Sequence, residues 1–183
     1  VRASQLGLKV AIIEEKYWGG VCLNVGCIPS KALLRNAELA HIFNHQASTF
    51  GMSGDVTFDF GAAFDRSRTV AEGRVKGIHF LMKKNNIAVF MGAAQFKTKD
   101  TITVTDKDGK ATELKAKNII VATGASAATL PGITIDGKKI VTYWEAIMQD
   151  TLPKSVVIVG AGAIGVEFAT IWNSYGVDVT IVE

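Results

Sequence analysis

The chain has 183 residues, 48% of them apolar and 20% charged, with a formal net charge of +3. That balance suits an ordinary soluble globular protein of one to one and a half domains with a sizeable core, and it argues against a nucleic-acid binder. The longest apolar run, Ser155 to Phe168, is interrupted by glycines and falls short of the ~18 residues that a membrane span needs.

Gln5 to Val10 reads as the end of a helix running into a strand. Lys9–Glu14 is that strand: short, β-branched and closed by an acid, the pattern of a buried parallel strand. The next stretch, Gly19 to Lys31, holds the only two cysteines, Cys22 and Cys27, between a glycine pair and Pro29-Ser30-Lys31. Cross-linking so short a loop removes little entropy from the unfolded chain, so the pair suits opening and closing better than stapling. A redox-active disulfide is the leading reading. Two others stand beside it: zinc ligation, which wants four ligands and a closer spacing, and a pair of buried free thiols. A disulfide that turns over fits a reducing, cytoplasmic compartment, and no charged-then-apolar leader opens the chain.

From Ser30 to about Asn44 the spacing of Ala32, Leu33, Leu34, Ala37, Leu39 and Ala40 predicts a helix. A polar loop, Gln46 to Gly61, leads to a second helix, Ala62–Lys84, with Ala71, Val75, Ile78 and Met82 along one face. His41, His45 and His79 fall on these helices and read as packing or surface residues rather than metal ligands. Ile87–Met91 returns as a strand. Thr101–Thr105 and Thr112–Lys115 flank an Asp108-Gly109 turn, which predicts an antiparallel hairpin. Asn118–Ala122 is expected to rejoin the parallel sheet and to end at Thr123-Gly124. Leu130-Pro131-Gly132 and Pro153 punctuate a crossing segment.

From Ser155 a strand, a glycine turn, a helix and a second strand follow. Gly160, Gly162 and Gly165 stand in the spacing of a dinucleotide-binding turn, and Glu183 closes the next strand about twenty residues on. Gly160 permits the sharp turn, Gly162 lets backbone approach a pyrophosphate, and Gly165 lets helix and strand pack closely. The helix start at Ala163 and Ile164 offers N–H groups to the phosphates. Glu183 would accept hydrogen bonds from a ribose and repel a 2′-phosphate, favouring NAD over NADP. Glu14 closes its strand in the same way. Its own glycine turn would lie upstream of Val1, so the chain reads as an internal piece of a longer protein.

On these residues the chain resembles the flavin-dependent pyridine nucleotide-disulfide oxidoreductases over essentially its whole length. The wording Gly-Gly-x-Cys-Leu-Asn-Val-Gly-Cys-Ile-Pro-Ser-Lys is most similar to the lipoamide-directed members, with mercuric reductases next. The resemblance implies an α/β fold of two Rossmann-like, three-layer ββα nucleotide-binding domains. Residues 1–152 would bind FAD, without that domain's first strand and glycine loop and with a hairpin excursion near 94–116. Residues 153–183 would begin the NAD domain.

The resemblance also implies roles. Cys22 would be the interchange thiol and Cys27 the thiol facing the flavin. Lys31 would lie beside the flavin's reactive edge, with Glu167 as its partner. Glu14, Gly19, Gly20, Val21, Gly92, Ala93, Ala94, Thr123 and Gly124 would contact FAD; the adenine-side turn is expected at Gly92 to Ala94. After Gly124 the chain departs from the family's arginine and proline. The implied reaction passes electrons from dihydrolipoamide, free or on a lipoyl domain, through the disulfide and FAD to NAD. The implied assembly is a homodimer within 2-oxoacid dehydrogenase complexes, its acid–base His–Glu pair in a C-terminal domain outside this chain. A non-catalytic binding or assembly module is the competing reading, since the isolated chain is expected not to turn over. No nucleic acid, membrane or metal partner is expected.

Overall fold

In the computed structural model, which describes residues 1–183, the chain divides into two units: 1–21 with 73–125, and 22–72 with 126–183. A short helix, α1 (Arg2–Gln5), opens the first unit. β1 (Ala11–Glu14) then pairs in parallel with β2 (Ala88–Met91), Ile12 opposite Val89. The long helix α4 (Phe60–Lys84) leads into β2, and its last turns supply this unit's core. Met82 packs with Trp18 and Ile87, and Val10, Ile12, Val75 and Ile78 close around them. The apolar face read from the sequence is therefore the buried one.

β3 (Ala93–Thr98), β4 (Thr101–Thr105) and β5 (Ala111–Lys115) form an antiparallel meander in that order. The predicted hairpin is β4–β5. Asp106 closes its turn by accepting from the amides of Asp108 and Lys110, and Gly109 takes the positive φ that the turn requires. β3 was not expected from the sequence. Only Gly92 makes the turn before it: its φ is +153°, and an added Cβ would meet Thr105 O at 2.3 Å. Ala93 and Ala94 belong to β3, opposite Thr105 and Val104, so the expected three-residue turn shrinks to a glycine.

Asn118–Ala122 is not a strand, contrary to expectation. These residues have no regular structure, and Ile120 is 90% and Val121 66% exposed. A β-branched run becomes a strand only when a neighbouring strand offers backbone partners. None of the strands in this chain pairs with it.

A helix stands where a loop was expected. α2 (Gly20–Val25) carries Cys22, breaks at Gly26 and is followed at once by α3 (Cys27–His45). A 3₁₀ turn at Ala47–Phe50 interrupts the polar loop. α5 (Tyr143–Ala146) is a single capped turn in which Thr142 and Glu145 form a capping box, a signal present in the sequence as Thr-x-x-Glu. β6 (Ser155–Val159) and β7 (Asp178–Val182) are parallel, Ile158 opposite Ile181, and α6 (Ala163–Ser174) crosses between them.

α3 packs against α6. Ala37 and Ala40 on α3 are fully buried, as are Phe168, Ile171 and Trp172 on α6 to within a few per cent. Near the start of α6, Gly165 sits so close to the sheet that an added Cβ would lie 2.1 Å from Gly160 O and 3.2 Å from Ile158 Cγ2. Replacing Gly165 with Ala should therefore lower stability by about 1–3 kcal/mol, the range typical of overpacking. Gly77→Ala, at a helical position with nothing within 4 Å of the new Cβ, should instead raise it by about 0.5–1 kcal/mol. Urea midpoints of the two variants check the opposite signs.

Candidate redox site and nucleotide-binding turns

The reactive residues are set by the way α3 begins. Cys27 is its first residue, after Gly26 at the cap. Pro29 follows in the first turn, where a missing N–H leaves no carbonyl unserved. The Ser30 amide closes the first hydrogen bond onto Gly26 O at 3.0 Å. Cys22, in α2, is joined to Cys27 by a disulfide with a Cα–Cα distance of 4.5 Å. No cysteine is left over, so the zinc and free-thiol readings fail. Both cysteines are exposed.

Arg68, on α4, holds the end of α2. Its Nη1 donates to Asn24 O at 2.8 Å and lies 3.1 Å from Met148 Sδ, and its guanidinium rests over the Phe64 ring. A cation on the last carbonyls of a helix satisfies acceptors the helix cannot pair internally. Nothing in the local sequence marks this residue.

One turn into α3, Lys31 forms an ion pair with Glu167 of α6 through Oε1. The other carboxylate oxygen, Oε2, is 3.1 Å from the Ser30 hydroxyl. The pairing of Lys31 with Glu167 thus has its own anchor. Lys31 is 60% exposed and Glu167 29%, so the pair contributes under about 1 kcal/mol to stability. Its value lies in where it holds an ammonium, not in binding the fold together.

The second glycine cluster is as expected. Gly160 takes φ +111° and donates to Val182 O at 2.7 Å, which ties the turn to the end of β7. Gly162 caps α6, and a Cβ there would meet nothing within 4 Å. The first amides of α6, at Ala163 and Ile164, have no intrahelical carbonyl to meet. Glu183 reaches back to this turn, its carboxylate accepting from the Ala161 amide.

In the first unit Glu14 ends β1 and accepts from the amides of Lys16 and Tyr17, each at 3.0 Å, while its carbonyl accepts from Gly92. Gly19 and Gly20 follow with φ of +87° and +82°, conformations that side chains other than glycine rarely take. Val21 is half-buried, and Thr123 and Gly124 lie in exposed, irregular backbone. The candidate residues fall into three groups: Glu14 with Gly92, Cys22–Cys27 with the Lys31–Glu167 pair, and Gly160 to Gly165 with Glu183.

A disulfide at a helix start and glycine turns closed by acids define a class of protein. The sequence pattern of the pyridine nucleotide-disulphide oxidoreductases matches residues 1–183, and the chain belongs to that family. Within it, the chain is similar to the dihydrolipoyl dehydrogenase of Mycobacterium tuberculosis, 58% identical over 183 residues. It is 50% identical over the same length to that of Corynebacterium glutamicum. All of this chain is covered in both comparisons, but it spans only 39% of each relative's length. Among solved structures it is similar to LpdA of M. tuberculosis, with a TM-score of 0.85 and 27% identity over 94% of this chain and 38% of that one. The copper(II) complex of the HOCl-induced flavoprotein disulfide reductase RclA of Escherichia coli gives 0.84 and 28%, over 100% of this chain and 38% of the other.

The residues fit the dinucleotides of that family. The open backbone at Gly162 and the free first amides of α6 suit a pyrophosphate. The positive-φ backbone at Gly19 and Gly20, beside an acid ending a parallel strand, suits close approach of a second one. Because the disulfide closes a very short loop, reducing it should lower stability by no more than about 2 kcal/mol. The urea midpoint measured with and without dithiothreitol tests that ceiling.

Proposed function

We propose that this chain is the disulfide-bearing part of a dihydrolipoyl dehydrogenase, oxidising dihydrolipoamide with FAD and NAD as electron carriers. The observation that carries the reading is the exposed Cys22–Cys27 bond at the start of α3, one turn from the Lys31–Glu167 pair. In the same reading, residues 1–152 serve FAD and residues 153–183 begin the NAD part. The complete protein acts as a homodimer on lipoyl groups of 2-oxoacid dehydrogenase complexes, in the cytoplasm.

The helix supports the roles proposed for the two sulfurs. Cys27 is the first residue of a 19-residue helix, where the dipole favours an anion. A substrate thiolate attacking Cys22 Sγ therefore expels Cys27 as the better leaving thiolate. The S–S bond breaks, and a mixed disulfide forms at Cys22. The second substrate thiol, giving up its proton, displaces Cys22. The substrate closes to its disulfide, and two electrons remain on the cysteine pair.

Bound FAD would supply an acceptor for that electron pair, and bound NAD the hydride chemistry to carry it off. Lys31, oriented by Glu167, supplies positive charge where the carriers become negative, and it favours thiolate over thiol. Glu14, Gly19, Gly20, Val21, Gly92, Ala93, Ala94, Thr123 and Gly124 hold FAD. Gly160, Gly162, Ala163, Ile164 and Gly165 hold the NAD pyrophosphate, and Glu183 its ribose. By itself the 183-residue chain is proposed not to turn over.

In the protein extended to the length of its relatives, Cys22→Ser or Cys27→Ser should cut lipoamide-dependent NAD reduction by about a thousandfold or more. A double serine variant that still reduced NAD with dihydrolipoamide at the native rate would end the proposal.

A further inference from the structure

Ser30 has no role in the reading above, yet it stands between the disulfide and the ion pair. Its Oγ is 3.1 Å from Cys27 O and 3.1 Å from Glu167 Oε2, and the residue is only 7% exposed. A hydroxyl has one proton to donate, and here it has two acceptors at equal distance. One is a carbonyl of its own helix, the ordinary local partner of a helical serine. The other is a carboxylate, and a hydrogen bond to a charged acceptor is about twice as strong as one to a neutral acceptor. Burial widens the difference.

We infer that Ser30 is a positioning residue: it donates to Glu167 Oε2 and so fixes the carboxylate with Oε1 turned to the Lys31 ammonium. Each carboxylate oxygen then has one partner, on adjacent residues of α3. Without the hydroxyl, Glu167 keeps a single long-armed partner that is mostly in solvent. The carboxylate is free to rotate, and Lys31 loses its fixed place. The functional weight of this rests on the reading of Lys31 and Glu167 given above; the geometry does not.

A purely structural serine makes the opposite forecast. Alanine is the better helix former, so Ser30→Ala would be neutral or stabilising and would leave Lys31 untouched. The two views separate by the freedom of the Lys31 amine in the oxidised chain, with no flavin or lipoamide present. Limited acylation with a small amine-reactive ester, resolved residue by residue by mass spectrometry, measures it. Ser30→Ala should raise the Lys31 rate by about threefold, to the level of Glu167→Gln, with Lys83 and Lys154 unchanged as internal controls. Ser30→Thr, which keeps a hydroxyl, should restore the native rate. Combining Ser30→Ala with Glu167→Gln should add nothing further. Ser30→Gly, also without hydroxyl or bulk, is carried in parallel in case the alanine variant does not fold.

A native Lys31 rate in both hydroxyl-free variants overturns the inference, as does a rise shared by Lys83 and Lys154 or one that persists on top of Glu167→Gln. None of these readings depends on turnover. The inference can therefore fail while the dehydrogenase assignment stands, and the reverse.

Discussion

How closely α3 can approach α6 decides the chemistry at its start. The two helices pack together, and Ala37 and Ala40 on α3, like Phe168, Ile171 and Trp172 on α6, are buried. With the two axes held this near, residues at the head of α3 reach residues in the first turns of α6. Lys31 then meets Glu167, and Ser30 meets the same carboxylate from the next position. A larger residue at either fully buried alanine would have no room without displacing its neighbours. The redox pair inherits its placement from this contact, because Cys27 is the first residue of the same rigid helix.

The two acids that close parallel strands use their carboxylates differently. Glu14 folds onto the amides of Lys16 and Tyr17 just beyond its own strand, which shapes the local turn. Glu183 reaches across to Ala161, an amide inside the glycine turn at the other end of its strand–helix–strand unit. Both carboxylates are thereby held beside backbone that bends through positive-φ glycines. The constraint on Gly165 is of another kind. It concerns the room for one carbon atom between α6 and β6, and it keeps the helix start seated over the strand end.

Most of this was legible in the sequence where the signal was periodic or compositional. The strands at Lys9–Glu14 and Asp178–Glu183, the face of α4 and the β4–β5 hairpin all follow from local pattern, because each element meets its partner through side chains the pattern displays. The cysteine pair was legible from scarcity and spacing. The elements that were missed depend on partners far along the chain. α2 begins at a glycine and lacks a helical pattern; Arg68, more than forty residues on, donates to the Asn24 carbonyl near its end. β3 exists because β4 offers it an edge. Asn118–Ala122 shows the converse: a sequence well suited to a strand stays irregular where no edge is offered. Within the site, Glu167 was reached through family resemblance, since no spacing rule connects it to Lys31. Ser30 was visible only as a letter in a motif until its hydroxyl was seen between two acceptors.

The β6–β7 sheet has a practical corollary. α6 covers the side that carries Val156 and Ile158, whereas Val157 and Val159 project from the other, 64% and 61% exposed. Two parallel strands bare on one side and open at both edges make a surface that readily sticks to a like surface. Anyone purifying the polypeptide alone should plan for clumping as concentration climbs, and for mild detergent or a grafted lysine on that side to keep it dispersed.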